Sequence, residues 1–275
     1  MKRAETTGVN EVKTGEPIRY YHRTRGRVEE EKVYGERSLR WIYETGPGRL
    51  ALALLVRRPL FSKFYGWLMD RPSSRKRILP FIEQYGLDPS DFADSPESFR
   101  TFNEFFYRKL KPEARPVDPG QTTAVFPADG RHWVCQDLSR LNDFWVKGQR
   151  FDVAAFLGDG ELAERYRAGS LVMSRLCPVD YHRYHFPCAG VPGENRLING
   201  WLHSVSPVAL RRNARYLWEN KRAFCLLESP VFGTVVYAEI GATCVGGLVS
   251  TYRAGEPVRK GAEKGYFRFG GSCVV

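Results

Sequence analysis

Ser272 follows Gly270-Gly271, and a serine hydroxyl next to a glycine carbonyl is where a chain can cut itself. Glycine leaves the carbonyl open to the hydroxyl and lets the backbone take up strain. Gly-Gly-Ser is also common in flexible segments, so a base must be found. His182 and His185 sit together in Cys177-Pro-Val-Asp-Tyr-His-Arg-Tyr-His-Phe-Pro-Cys188, a local concentration in a chain with five histidines. Pro178 and Pro187 argue against a continuous helix there. In an extended segment residues three apart need not share a face, so one histidine can act as base while the other faces another part of the same pocket. Each alone would read as an ordinary satisfied histidine. Cys177, His182, His185 and Cys188 also form a candidate zinc set, but their compact spacing fits structural zinc patterns poorly, and no metal is expected. An acid is offered by Phe126-Pro127-Ala128-Asp129-Gly130, where Pro and Gly favour a turn that fixes the carboxylate, although alone it reads as a turn residue.

The elements that must position these groups differ along the chain. Residues 1–37 form a charged N-terminal arm with Glu29, Glu30 and Glu31 between basic residues, read as loosely packed. Residues 38–118 form a helical region with apolar residues three and four apart. Leu60, Phe64, Trp67 and Leu68 share one face, widened by Phe61 and Tyr65 and rimmed by Arg57, Arg58, Lys63, Arg71, Arg75, Lys76 and Arg77. Such a face packs on its own domain in most proteins, and suits an anionic membrane surface if the substrate is a lipid. Thr101-Phe-Asn-Glu104 has capping-box spacing and predicts a helix over Phe102–Leu110. Residues 119–275 are β-rich, with short apolar stretches at Ala124–Ala128, Ser170–Leu176, Val231–Ile240, Cys244–Tyr252 and Phe267–Val275. Glycines at 255, 261 and 265 around a short strand resemble the hairpins of lipoyl- and biotinyl-type β-sandwiches. The fold class expected is α+β.

With 275 residues, 43% hydrophobic and 13% aromatic, the chain can bury a large core. Its 42 basic against 31 acidic residues give +11, which points to anionic partners, either nucleic acid or a membrane surface. The longest apolar run, Leu50–Val56, is far below the roughly 20 residues of a spanning helix, and the first ten residues lack the apolar stretch of a secretory signal. Six scattered cysteines read as reduced thiols of an intracellular protein.

Taken together, Ser98-Phe-Arg-Thr-Phe-Asn-Glu-Phe-Phe-Tyr-Arg-Lys-Leu-Lys-Pro112, Pro127-Ala-Asp-Gly130, Asp180-Tyr-His-Arg-Tyr-His-Phe-Pro187, Asn199-Gly200, Asn220-Lys-Arg222 and the Gly-Gly-Ser at 270–272 resemble the bacterial phosphatidylserine decarboxylase proenzymes, from about residue 40 onward. The resemblance implies a self-cleavage triad of Asp129, His185 and Ser272. Asp129 would orient His185 and stabilise its imidazolium while His185 takes the Ser272 proton. The hydroxyl attacks the Gly271 carbonyl, the amide becomes an ester, and elimination followed by loss of ammonia leaves a pyruvoyl group derived from Ser272. No added cofactor is needed. That ketone condenses with the amine of phosphatidylserine and withdraws electrons, so the carboxylate leaves as carbon dioxide. His182 matches the histidine implicated in this step, as the acid that returns a proton.

The resemblance further implies a self-derived small subunit beginning at Ser272, where this sequence has three following residues and Cys273 in place of the usual Thr or Ser. It implies peripheral attachment to the cytoplasmic face of a bacterial cell membrane, through Leu60, Phe61, Phe64, Trp67, Arg57, Arg58 and Lys63, and a possible homo-oligomer. An uncleaved, inactive membrane-bound relative ranks second, ahead of a nucleic-acid binder, for which no module signature exists, and a zinc protein.

Overall fold

The computed structural model describes residues 17–23, 25–31, 33–140, 151–244, 247–270 and 272–275; the first sixteen residues of the arm and Gly271 lie outside them. An antiparallel hairpin comes first, β1 (Arg19–His22) and β2 (Arg27–Glu30), with Arg19 opposite Glu30. Where loose packing was expected, Glu31, the next residue, is buried. Five labelled helices follow: α1 (Glu36–Glu44), α2 (Gly46–Ala51), α3 (Pro59–Met69), α4 (Ile78–Tyr85) and α5 (Phe102–Phe106), with a π-helical stretch over Leu52–Val56. The Thr45 hydroxyl caps α2 through Gly48 N–H, and Pro59 opens α3 with a preset φ. Gly86, at φ 62°, ends α4 in the left-handed conformation that glycine adopts without strain.

The remaining strands are β3 (Arg131–Cys135), β4 (Leu171–Leu176), β5 (Arg183–His185), β6 (Val191–Pro192), β7 (Arg196–Ile198), β8 (Arg222–Ser229), β9 (Gly233–Ile240), β10 (Leu248–Ser250), β11 (Glu263–Phe267) and β12 (Ser272–Val274). Seven of them form one antiparallel sheet in the order β3-β4-β12-β9-β8-β6, with β7 also pairing β8. A second sheet has the order β10-β11-β5. The fold is thus a mixture of helices and antiparallel sheets.

The short strand β12 occupies the middle of the large sheet. Ser272, Cys273 and Val274 pair with Leu176, Arg175 and Ser174 on one side, and Cys273 and Val274 pair with Ile240 and Glu239 on the other. Side chains alternate across the sheet: Cys273 packs with Phe156, Leu157 and Ile240, whereas Val274 packs with Ala128, Leu176, Tyr184 and Phe267. Burial pushes the Cys273 thiol up to about 12, so it behaves as a small apolar residue.

Two expectations fail locally. The helix begun by Thr101 stops at Phe106 rather than Leu110, because Leu110 forms a β-bridge with Phe92 and the Lys109 carbonyl accepts from Ala93. Residues Ala124–Ala128 form no strand; Val125 N–H donates to the Pro187 carbonyl, and the Pro127 carbonyl accepts from His185 N–H. The pentad Phe81, Phe99, Phe102, Phe105 and Phe106 fills the core of the helical layer, and Phe269 from the chain just before β12 joins it.

Candidate active site

Ser272 is fully buried at the start of β12, and its hydroxyl has no hydrogen-bond partner among the described residues. An unpaired buried hydroxyl costs stability. The chain reaches it through Gly270 at φ 135°, a conformation open to glycine alone. The helical layer grips this approach directly. Asn103 Oδ1 accepts from Phe269 N–H at 3.0 Å, and Asp70 takes the Arg268 guanidinium at 2.9 and 3.0 Å. Asn103 Nδ2 donates to Asp70 at 2.9 Å, tying the two clamps together.

The turn carrying Asp129 lies level with Ser272 across the sheet. Arg131 is opposite Arg175, which is opposite Cys273. Gly130 makes this possible: its φ is 142°, and a Cβ there would fall 2.4 Å from the Arg175 carbonyl. Asp129 is held by a fork from Arg115, whose Nε lies 3.0 and 2.9 Å from its two oxygens and whose Nη2 lies 2.7 Å from Oδ2.

His185 is tied to the same turn, since its backbone N–H donates to the Pro127 carbonyl at 2.7 Å. Its Nδ1 lies 3.0 Å from the Gly261 carbonyl, so Nδ1 carries the proton and Nε2 keeps its lone pair. The orienting partner of His185 is therefore a backbone carbonyl, and Asp129 acts on it through charge. Burial lowers the His185 pKa, while the Gly261 carbonyl, Glu263 and Asp129 oppose that shift.

His182 is fully buried on the other side of the segment, with its ring centroid 3.9 Å from that of Phe106. Its Nδ1 donates to the Asp180 carbonyl at 2.8 Å. Its Nε2 has no hydrogen-bond partner among the described residues. Burial drives its pKa down to about 3, with the Asp180 and Gly270 backbones pulling the other way and the Arg108 charge adding to the fall. Folded, His182 is neutral and its free nitrogen is an acceptor next to the approach to Ser272. Returning a proton to substrate requires it first to gain one.

A buried charge network holds Asp180 in place. Its carboxylate takes Arg131 at 3.0 and 3.1 Å and the Cys177 N–H at 2.7 Å. Arg131 and Arg175 both reach Glu31 of the N-terminal hairpin, Arg131 at 3.6 Å and Arg175 in a close ion pair. Cys177 Sγ donates to the other Glu31 oxygen at 3.0 Å. The structure therefore adds Glu31, Asp70, Asn103, Arg108 and Arg115 to the residues expected from sequence. Of these Asn103 and Arg108 lay in the quoted Ser98–Pro112 stretch, Asn103 also in the capping box, without a role assigned; the rest arrive through the fold. Among the described residues no three metal-binding side chains gather.

The expected membrane-contact residues divide. Leu60, Phe64 and Trp67 are 77%, 58% and 52% exposed, and Phe64 stacks on Trp67. Phe61 instead packs inward beside Tyr43 and Val56. Arg57 and Arg58 lie over the Trp201 ring at 4.2 and 4.8 Å, and Lys63 is exposed.

Residues 102–275, which hold every one of the expected catalytic groups, match the sequence model of the phosphatidylserine decarboxylase family. The chain belongs to that family. It is 42% identical over 260 residues to a phosphatidylserine decarboxylase proenzyme of Fusobacterium nucleatum, covering 94% of this chain and 87% of that one. Proteins of the same description from Desulfitobacterium hafniense and Chlamydia trachomatis are each 41% identical, over 258 and 256 residues. Family membership extends beyond the matched region, because these alignments also span most of the helical layer that clamps Arg268 and Phe269.

Proposed function

We propose that this chain is a self-processing phosphatidylserine decarboxylase, which cuts itself between Gly271 and Ser272 and then converts phosphatidylserine to phosphatidylethanolamine and carbon dioxide. The observation that carries the reading is the buried Ser272 hydroxyl, unpartnered among the described residues, at the start of a central strand and two residues after Gly270 in a glycine-only backbone conformation.

The chain's own groups divide the work. His185 Nδ1–H is spent on the Gly261 carbonyl, which leaves Nε2 to take the Ser272 proton. Asp129 favours the imidazolium that forms, by charge rather than by a hydrogen bond. The Asn103 and Asp70 clamps hold the acyl side of the bond while the two strands beside β12 hold the hydroxyl side. The pyruvoyl group made from Ser272 supplies an electron-withdrawing ketone. To His182, buried and neutral, we assign the proton exchange with substrate.

Among the described residues no helix is long and apolar enough to cross a membrane. Peripheral attachment to an anionic cytoplasmic leaflet is supported by exposed Leu60, Phe64 and Trp67 beside Lys63, each cation adding about 1 kcal/mol near such a surface. We read the β10–β11 pair, with left-handed turns at Gly255 and Gly261, as the lipoyl-like part of the fold.

Intact-mass measurement of the wild type and Ser272→Ala tests the reading, alongside carbon dioxide release from carboxyl-labelled phosphatidylserine. The wild type should give the mass of residues 1–271 and release label, and Ser272→Ala should do neither. His182→Ala should still cut but release no label. Failure of His182→Ala to cut would exchange the roles of the two histidines. An uncut wild type would sink the proposal.

A further inference from the structure

Arg108 is 5% exposed and forms no ion pair among the described residues. Its Nε–H has no hydrogen-bond partner, and its Nη1 makes only a long 3.4 Å contact with the Phe105 carbonyl. The guanidinium lies over Phe92 and Phe105 at 4.7 and 4.8 Å. Aromatic faces offset only part of the cost of burying a charge. Asp129, the carboxylate whose charge acts on it most strongly, is already taken by the Arg115 fork.

The position of Arg108 is as specific as its chemistry. Phe106, two residues before it, stacks on His182, and the Tyr107 carbonyl accepts from Arg183 Nε at 2.9 Å. Residues 106–108 are therefore a wall of the histidine site. Burial lowers the Arg108 pKa to about 10, against the pull of Asp129, Tyr181 and Asp180, and it is a cation at neutral pH. A buried cation with an unused donor beside a reaction site is built for an anion.

The substrate class offers two anions, and the chemistry separates them. A guanidinium on the carboxylate would stabilise the ground state of the group that must leave as neutral carbon dioxide, and so would oppose the reaction. The phosphodiester keeps its charge throughout, so a contact to it strengthens binding without raising the barrier. We propose that Arg108 is the seat of the headgroup phosphodiester, donating its Nε–H to a non-bridging phosphate oxygen. The Phe269 ring packs against the same segment, 4.9 Å from Phe106 and 5.4 Å from Phe102.

This assignment rests on the decarboxylase reading, and its test keeps the two apart. Self-cleavage is read by intact mass, and KM and kcat by label release from phosphatidylserine in mixed micelles. Arg108→Met should still cut, with KM raised about 10- to 100-fold, as expected for a lost charged hydrogen bond, and kcat changed far less. Arg108→Lys should recover part of the KM loss. A measurement on the wild type alone guards against a misfolded variant. Phosphatidylserine methylated to a neutral phosphotriester should show the same rise in KM. Equal KM for diester and triester overturns the assignment, whatever the variants do. So does an Arg108→Met enzyme with unchanged KM, or one that loses kcat at constant KM. Inorganic phosphate should compete poorly, and tight competition by it would mark a general anion seat instead.

Discussion

The His182 imidazole lies against the Phe106 ring with 3.9 Å between centroids, and no part of it reaches solvent. Its pKa falls to about 3 in the folded chain, against about 6.5 in an unfolded one. The unfolded chain therefore binds the extra proton between these values. The stability that the neutral ring contributes is full above about pH 6.5 and drains as the pH falls toward 3, by at most about 1.4 kcal/mol per unit. His203, lowered to about 4, acts in the same direction. Thermal midpoints of Ser272→Ala should drop steadily from pH 6.5 to 4, and His182→Asn on that background should flatten the slope. An equally steep slope in the double variant would assign the effect to other groups.

Asp129 and Arg115 are partly exposed, at 26% and 49% of their side chains. Such a pair contributes up to about 1 kcal/mol to stability. Asp129→Asn should consequently melt within a few degrees of the wild type, yet slow self-cleavage about tenfold or more, since the forming imidazolium loses its negative neighbour. Timed intact-mass spectra against calorimetry would separate the two effects. A large loss of melting temperature would recast Asp129 as a structural residue.

Glu31 pairs with two arginines, and Asp180 of the histidine segment shares one of them. Removing one partner of a buried pair costs about 3–5 kcal/mol, because the other charge is left unpaired. Glu31→Ala should lower the denaturation midpoint by that order, and Glu31→Gln, which keeps some hydrogen bonding, by less. Urea titration followed by tryptophan fluorescence checks both. Indifference to Glu31→Ala would mean that the hairpin is decoupled from the sheet.

Gly130→Ala introduces a Cβ 2.4 Å from the Arg175 backbone at a φ that side chains avoid. The turn and β4 would have to separate, shifting Asp129 away from the level of Ser272. Cleavage should be lost or slowed by more than about tenfold, the scale of a small misplacement of reacting groups.

Phe64→Ser with Trp67→Ser removes exposed apolar surface far from the buried site, so self-cleavage should persist. Sedimentation with vesicles containing phosphatidylserine should fall, and added salt should weaken what remains. Unchanged sedimentation would place the membrane contact elsewhere.

The histidine block, the Asp129 turn and the Gly-Ser bond were legible in the sequence because each is carried by a handful of consecutive residues. The β-rich character of the second half was legible for the same local reason, in β4, β9, β10 and β12. What the chain order hides is juxtaposition. Asp70 meets Arg268 across 198 positions, and Glu31 meets Arg175 across 144. Neither pair has a periodicity to betray it. Helical spacing alone put Phe61 with Phe64, but Phe61 is drawn inward by Tyr43 and Val56, and the early end of α5 answers to a bridge with Phe92. The preference of His185 for a carbonyl over Asp129 is likewise set by where the turn at Gly261, just before β11, falls.

The central place of β12 changes the molecularity of folding. Before the cut, Cys273 and Val274 insert between β4 and β9 as part of one chain, a unimolecular step. After the cut the same ladder joins two chains, and any unfolding lets them diffuse apart. Reassembly then becomes second order and dependent on concentration. The uncut form should renature on dilution, whereas the processed enzyme should not, so maturation acts as a ratchet: the sheet must be finished before the hydroxyl is used, and it is not rebuilt afterwards.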